Sequence, residues 1–185
     1  EDYTASYTNL RAVTRSGGTL ELLKKLISAG YPVVVEKGVV LPDSCNGGKT
    51  WMGHYQTVMG YDDALSMFYA YDSFTGSSSK PAVSVPYEQM LAEWRPFNYI
   101  FLVITSVEGE AGLLQALGEY ADPTRADQIA AEFAAREAAE STSTQQFFAW
   151  YNRGTSLMRL GDYGNAGSAY DEAYRLYENL PKPRP

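Results

Sequence analysis

Cysteine and histidine each occur once in the 185 residues, as Cys45 and His54. A lone cysteine cannot close a disulfide within the chain, so no covalent framework holds this fold. The same scarcity excludes His/Cys zinc sites, because a structural zinc takes four protein ligands and a catalytic one commonly three. Asp62-Asp63 is an acidic pair without the spaced ladder of carboxylates that a calcium loop needs. No metal and no cofactor is expected. Long apolar runs are missing too: the longest, residues 31–35 and 99–104, fall far short of the roughly 20 residues that span a bilayer. There is also no excess of positive charge. Lys plus Arg is 15 against 22 Asp plus Glu, a net charge of −7, and a protein that grips a phosphate backbone needs a basic face. Nucleic acid is therefore not an expected partner. The chain starts without Met and without a charged-then-apolar leader, which points to a segment from inside a larger gene product.

What is present is core-forming material. The composition is 45% hydrophobic, with 15 Tyr, 7 Phe and 3 Trp, enough to exclude wholesale disorder. Two regions read differently. Through Glu108 the chain mixes short β-rich runs with turn clusters; after Gly109 it turns Ala-rich and β-branched residues thin out. The expected organisation is a domain over 1–108 and a helical region over 109–185, joined at Val107-Glu108-Gly109-Glu110. Charge does not distinguish the regions, with 8 basic and 11 acidic residues in the first and 7 and 11 in the second.

In the first region, Thr19 reads as an N-cap ahead of Leu20, Leu22, Leu23, Leu26 and Ile27 at helical spacing, and Gly30 as the stop. Residues 31–36 read as a buried strand. Residues 40–52, with Pro42, Asp43, Asn46, Gly47 and Gly48, read as a loop. Residues 54–61 and 65–72 read as an antiparallel pair around a turn at Asp62-Asp63. A Gly/Ser loop over 73–80, a helix opened by Pro86 and running through Trp94, and a last strand over 98–105 complete an α+β layer, an antiparallel sheet with flanking helices. The second region reads as helices over 111–120, 123–140, 145–160 and 163–179, with Gly161-Asp162 breaking the last two into a hairpin. The tail Pro181-Lys-Pro-Arg-Pro cannot continue a helix.

That hairpin, about residues 147–180, resembles a tetratricopeptide repeat, a pattern of about 34 residues. Trp150, Arg153, Gly154 and Leu157, then Ala166, Tyr170 and Ala173, then Glu178 with Pro181 follow its order, and Leu160-Gly161-Asp162-Tyr163 matches its turn. Arg153 and the late proline depart from it. Gly154, Ala166 and Ala173 are small enough to let two helices approach closely, with Trp150 and Tyr170 filling the space around them. One such repeat cannot bury its own face, so the resemblance implies either a capping hairpin packed on the first domain or the start of a longer array offering a surface to a peptide or protein partner.

Gly53-His54-Tyr55, Gly60-Tyr61-Asp62-Asp63 and Tyr71-Asp72, preceded by Tyr31-Pro32-Val33-Val34-Val35, resemble the second half of the C39-like peptidase family, over about residues 12–105. The resemblance implies a papain-like half domain, a bacterial source and a cysteine peptidase or amide hydrolase acting on peptide or protein. Export is implied as well, since such domains fused to repeats often follow a leader. It assigns His54 as general base and Asp72 as the carboxylate that orients it. Their separation of 18 residues suits a hairpin of two eight-residue strands, with His54 near the start of one and Asp72 near the end of the other.

The nucleophile is what this chain lacks. The family carries it in a Cys-Gly-Pro motif well before the valine-rich strand, with a Gln just upstream for the oxyanion, and neither occurs here. Cys45 follows that strand, nine residues before His54, and reads as a loop thiol, as Ser44 and Thr50 read as loop residues. As this chain the protein is expected to be inactive. Two further readings stand beside this one: a non-catalytic scaffold whose repeat helices bind a partner, and an assembly module whose repeat end pairs with another copy.

Overall fold

The computed structural model describes residues 1–42, 47–74 and 82–177. The first elements are a short helix α1 (Asp2–Tyr7) and strand β1 (Leu10–Arg15), neither carrying a sequence period long enough to be anticipated. Helix α2 (Leu20–Ser28) opens where expected, with the Thr19 side chain accepting from the backbone N–H of Leu22. It buries Leu22, Leu23 and Leu26, and Gly30 follows in the left-handed region at φ 87°.

The expected loop over 40–52 is much shorter in the structure. Strand β2 (Val33–Pro42) runs on through Val39 and Val40, and strand β3 (Lys49–Asp62) begins before Trp51, so the ladder extends to Leu41↔Thr50 and Pro42↔Lys49. Val39-Val40 facing Trp51-Met52 is a good cross-strand match, strong enough to carry the ladder past the point where the loop residues begin. Of that loop, residues 43–46 lie outside the described residues, as do 75–81 of the Gly/Ser loop and 178–185 of the tail.

A turn over 63–66 leads to β4 (Met67–Asp72), which pairs with β3 through a bulge between Val58 and Gly60. The expected pair of eight-residue strands is in fact 14 residues against 6. Strand β5 (Ala82–Pro86), not anticipated, pairs with β4. Pro86 ends it and serves as N-cap of helix α3 (Tyr87–Trp94). A 3-10 turn (Arg95–Phe97) precedes β6 (Phe101–Ser106), which starts later than expected because Asn98 and Tyr99 both adopt left-handed backbone, φ 53° and 50°. The six strands form one antiparallel sheet in the order β1-β6-β2-β3-β4-β5. Leu23, Leu26, Met90, Trp94 and Leu113 pack with Val33, Val35, Val58, Phe68 and Phe101 in its core.

Beyond the sheet come α4 (Glu110–Leu117), a 3-10 turn (Gly118–Ala121), α5 (Pro123–Glu140), α6 (Ser143–Arg159) and α7 (Tyr163–Tyr177). The expected helix over 111–120 is therefore split at Gly118. Asp122 caps α5, accepting from Arg125 N–H, with Pro123 in its first turn. At the α6–α7 turn Gly161 has φ 78° and Asp162 Oδ1 accepts from Asn165 N–H. The helices dock on the sheet region through specific polar bonds. Tyr99 Oη donates to Glu137 (2.5 Å), Asn98 Nδ2 to Ser156 Oγ (2.9 Å), and Asn152 Nδ2 to the Arg95 carbonyl (2.8 Å).

Candidate active site

The covered face of the sheet changes character along its strands. Val33 lies opposite Val58, and Val58 opposite Ala70, all three buried. One step along the pleat, Val35 lies opposite Gln56 and Gln56 opposite Asp72; a further step brings Lys37 opposite His54. Because side chains alternate between faces, these residues stand on one side, and the row passes from hydrocarbon to ionisable groups. Lys37, Gln56 and Asp72 are only 3, 4 and 6% exposed.

Asp72 ends β4, and its Oδ1 accepts the backbone N–H of Phe74 at 2.8 Å. The same oxygen lies 3.0 Å from His54 Nε2. The two are not lined up for a straight hydrogen bond, so the contact is a close approach rather than a formed bond. The other carboxylate oxygen, Oδ2, accepts from Gln56 Nε2. Phe74 sets its ring edge-on to the imidazole, centroids 6.4 Å apart. Across the ladder, Lys37 Nζ is 2.6 Å from Glu93 Oε2 on α3, and Gln89 donates to Glu93 Oε1 at 2.8 Å. An ammonium this buried needs such a partner. Lys37, His54, Gln56, Asp72, Gln89 and Glu93, with Val39, Val83 and Val85, line a cleft of about 310 Å³.

The structure thus brings His54 and Asp72 together, by a route that differs from expectation. His54 is the sixth residue of β3 rather than near its start, and Asp72 lies opposite Gln56, reaching His54 diagonally. Cys45 and Ser44 lie outside the described residues; Thr50 is a strand residue, paired with Leu41. Two residues of this cleft went unremarked in the sequence. Gln56 could have been found from its i+2 spacing to His54, and Lys37 from the break it makes in a valine-rich strand. With Nε2 turned to a carboxylate, the ring can keep its proton there and use Nδ1 as a base.

The Asp62-Asp63 pair does structural work. Asp62 Oδ1 accepts from Leu65 N–H at 3.1 Å. Asp63 accepts from Tyr87 Oη (2.9 Å) and Lys24 Nζ (3.1 Å), clasping the β3–β4 turn to α2 and α3. The Tyr87 and Lys24 donors hold the Asp63 carboxyl below its ordinary range, while burial and the Asp63 bond push the Tyr87 phenol up to about 12. Among the described residues no group of three or more His, Cys, Asp or Glu is placed to hold a metal ion, and no helix is long and apolar enough to cross a membrane.

The model of the Peptidase_C39 like family matches residues 1–100. A Bacillus anthracis protein assigned to the C39-like peptidases, with a solved crystal structure, is 23% identical over 51% of this chain and 51% of its own, with a TM-score of 0.38. The chain thus spans about half the length of that protein. No curated protein matches. With 100 of 185 residues matched, the chain belongs to the Peptidase_C39 like family.

Proposed function

We propose that this chain carries the His/Asp half of a C39-like cysteine peptidase or amide hydrolase, over about residues 1–108, with the nucleophile-bearing part absent from it. The observation that carries the reading is the 3.0 Å approach of His54 Nε2 to Asp72 Oδ1 at the edge of a cleft. In this reading His54 Nδ1 takes the proton of a thiol and returns it to the leaving amine, while Asp72 holds the ring and its tautomer. The chain alone does not hydrolyse peptides in this reading, because a proton acceptor without the family's Cys-Gly-Pro nucleophile forms no acyl intermediate.

The test has two parts. Against a panel of peptide amides the chain is expected to show no turnover; hydrolysis that disappears in His54→Ala would overturn the claim of inactivity. Nitrogen-15 resonances of the imidazole, unambiguous because His54 is the single histidine, are expected to show the neutral ring protonated at Nε2. A ring protonated mainly at Nδ1 would overturn the assignment of Asp72 as its orienter.

A second reading, a tetratricopeptide repeat at about 147–180 within a helical region over 109–185 that binds a protein or peptide partner, has its own support. The ideal Cβ position of Gly154 on α6 falls 2.7 Å from the Tyr170 ring of α7, so the two helices meet where only glycine fits without a shift. A hollow of about 420 Å³ between α6 and the sheet region is lined by Trp51, Phe97, Phe147 and Tyr151 among others. The coding sequence upstream separates the readings: a Cys-Gly-Pro helix start favours the enzyme, its absence the scaffold.

A further inference from the structure

The His54 ring, the backbone N–H of Phe74 and the Gln56 side-chain amide all meet the Asp72 carboxylate. An aspartate carboxyl turns easily about its last torsion, which is broad and roughly two-fold. Asp72 must also lean along the strand to reach His54, since the residue directly opposite it is Gln56. Phe74 N–H and Gln56 Nε2 hold different oxygens, and two donors on two oxygens stop that rotation. Gln56 is an odd choice for a buried position if filling space were its task. Its Oε1 is buried without a hydrogen-bond partner among the described residues, a cost that an apolar side chain of the same length would avoid. The next inward residue on the same face of β3, Val58, is apolar.

We infer that Gln56 is a positioning residue of this site: its amide donates to Asp72 Oδ2 and thereby keeps Oδ1 against His54 Nε2. The inference rests on the reading of His54 and Asp72 as a functional pair. Gln56 touches no reacting atom; it acts through Asp72. The titratable groups that line the cleft beside this carboxylate are His54 from β3, Lys37 from β2 and Glu93 from α3, while β5 contributes Val83 and Val85. Lys37 and Glu93 are paired with each other, and the Gln56 amide joins the Phe74 N–H as a neutral donor that favours the ionised Asp72.

The measurement is a pH titration of the His54 ring resonances by NMR in the starting protein, Gln56→Met and Asp72→Asn. The ring is expected to report an acid step from Asp72, and Asp72→Asn to erase it. Gln56→Met keeps the side chain's length and removes the donor to the charged form, so the step is expected to move up by about one to two pH units. A step that stays in place in folded Gln56→Met overturns the positioning role and leaves the pair intact. An acid step that is missing from the starting protein, or that survives Asp72→Asn, overturns the pair itself. If Gln56→Met does not fold, the side-chain amide protons of Gln56 in the unaltered chain decide: they are expected to shift with the Asp72 step, and flat resonances through it overturn the inference.

Discussion

Residues 1–106 bury large side chains against an antiparallel sheet, with Phe68, Met90, Trp94, Tyr99 and Phe101 at most 1% exposed. Residues 110–177 bury mostly alanine: Ala126, Ala130, Ala134, Ala138, Ala149, Ala166, Ala169 and Ala173. The first region gains stability from the hydrocarbon it removes from water. The second gains it from how near its helices come, as where Gly154 meets Tyr170. Sequence character follows. At the polar end of its strands the first region opens into the cleft that holds His54 and Asp72, whereas the small side chains of the second let backbones approach, as where Ala130 of α5 meets Gly17.

The largest test of that contrast is Trp94→Ala. Trp94 is fully buried and its Nε1 donates to the Ile100 carbonyl at 2.6 Å, so the loss is expected to be about 3–5 kcal/mol in urea unfolding. Followed at once by a backbone probe and a tyrosine probe, the transitions should coincide, because the regions share polar bonds. Separate transitions would make them independent folding units.

Tyr99→Phe cuts one of those bonds. The Tyr99 hydroxyl donates to Glu137, and a bond to a charged partner is worth about 1.5–3 kcal/mol. Burial, then the Glu137 carboxylate, pushes the Tyr99 phenol far above the ordinary tyrosine range. A phenol raised in the folded state stabilises the fold fully below its unfolded value of about 10 and loses that contribution as pH rises through the folded value. Stability of the starting protein is therefore expected to fall from about pH 10 upward, and less steeply in Tyr99→Phe. Denaturation midpoints between pH 8 and pH 11, chosen as about two units below and one above that value, give the comparison; identical slopes would contradict it.

The smallest effect is expected of Gly154→Ala. The new methyl would lie 2.7 Å from Tyr170 Cε1, an overpacking that usually costs about 1–3 kcal/mol, offset by about 1 kcal/mol of helix propensity. A modest net loss, read from thermal unfolding, is expected. A gain would mean the helices have room to spare and the seam is not close-packed.

Those two ways of packing also explain what the sequence disclosed. Helices announced themselves through punctuation: Thr19 and Gly30 around α2, Pro123 and the end at Glu140 for α5, Gly161-Asp162 between α6 and α7. Strands without a run of their own did not. Leu10–Arg15 and Ala82–Pro86 are short edge strands whose conformation is set by the neighbours they pair with, β6 and β4. The hairpin of β2 and β3 was underestimated because Pro42, Gly47 and Gly48 outweighed the valines and aromatics around them. At the site, His54 and Asp72 were legible through a family resemblance. Gln56 and Lys37 were not, because their significance lies in the register between strands, which composition does not carry.

The stagger of the sheet has a consequence for assembly. Strand β4 stops at Asp72, opposite Gln56, so among the described residues β3 continues toward Lys49 paired with β2 alone, and His54 stands on the ledge this leaves. In the proposed reading, a thiol that reaches the imidazole along this ledge breaks no rung of the β3–β4 ladder.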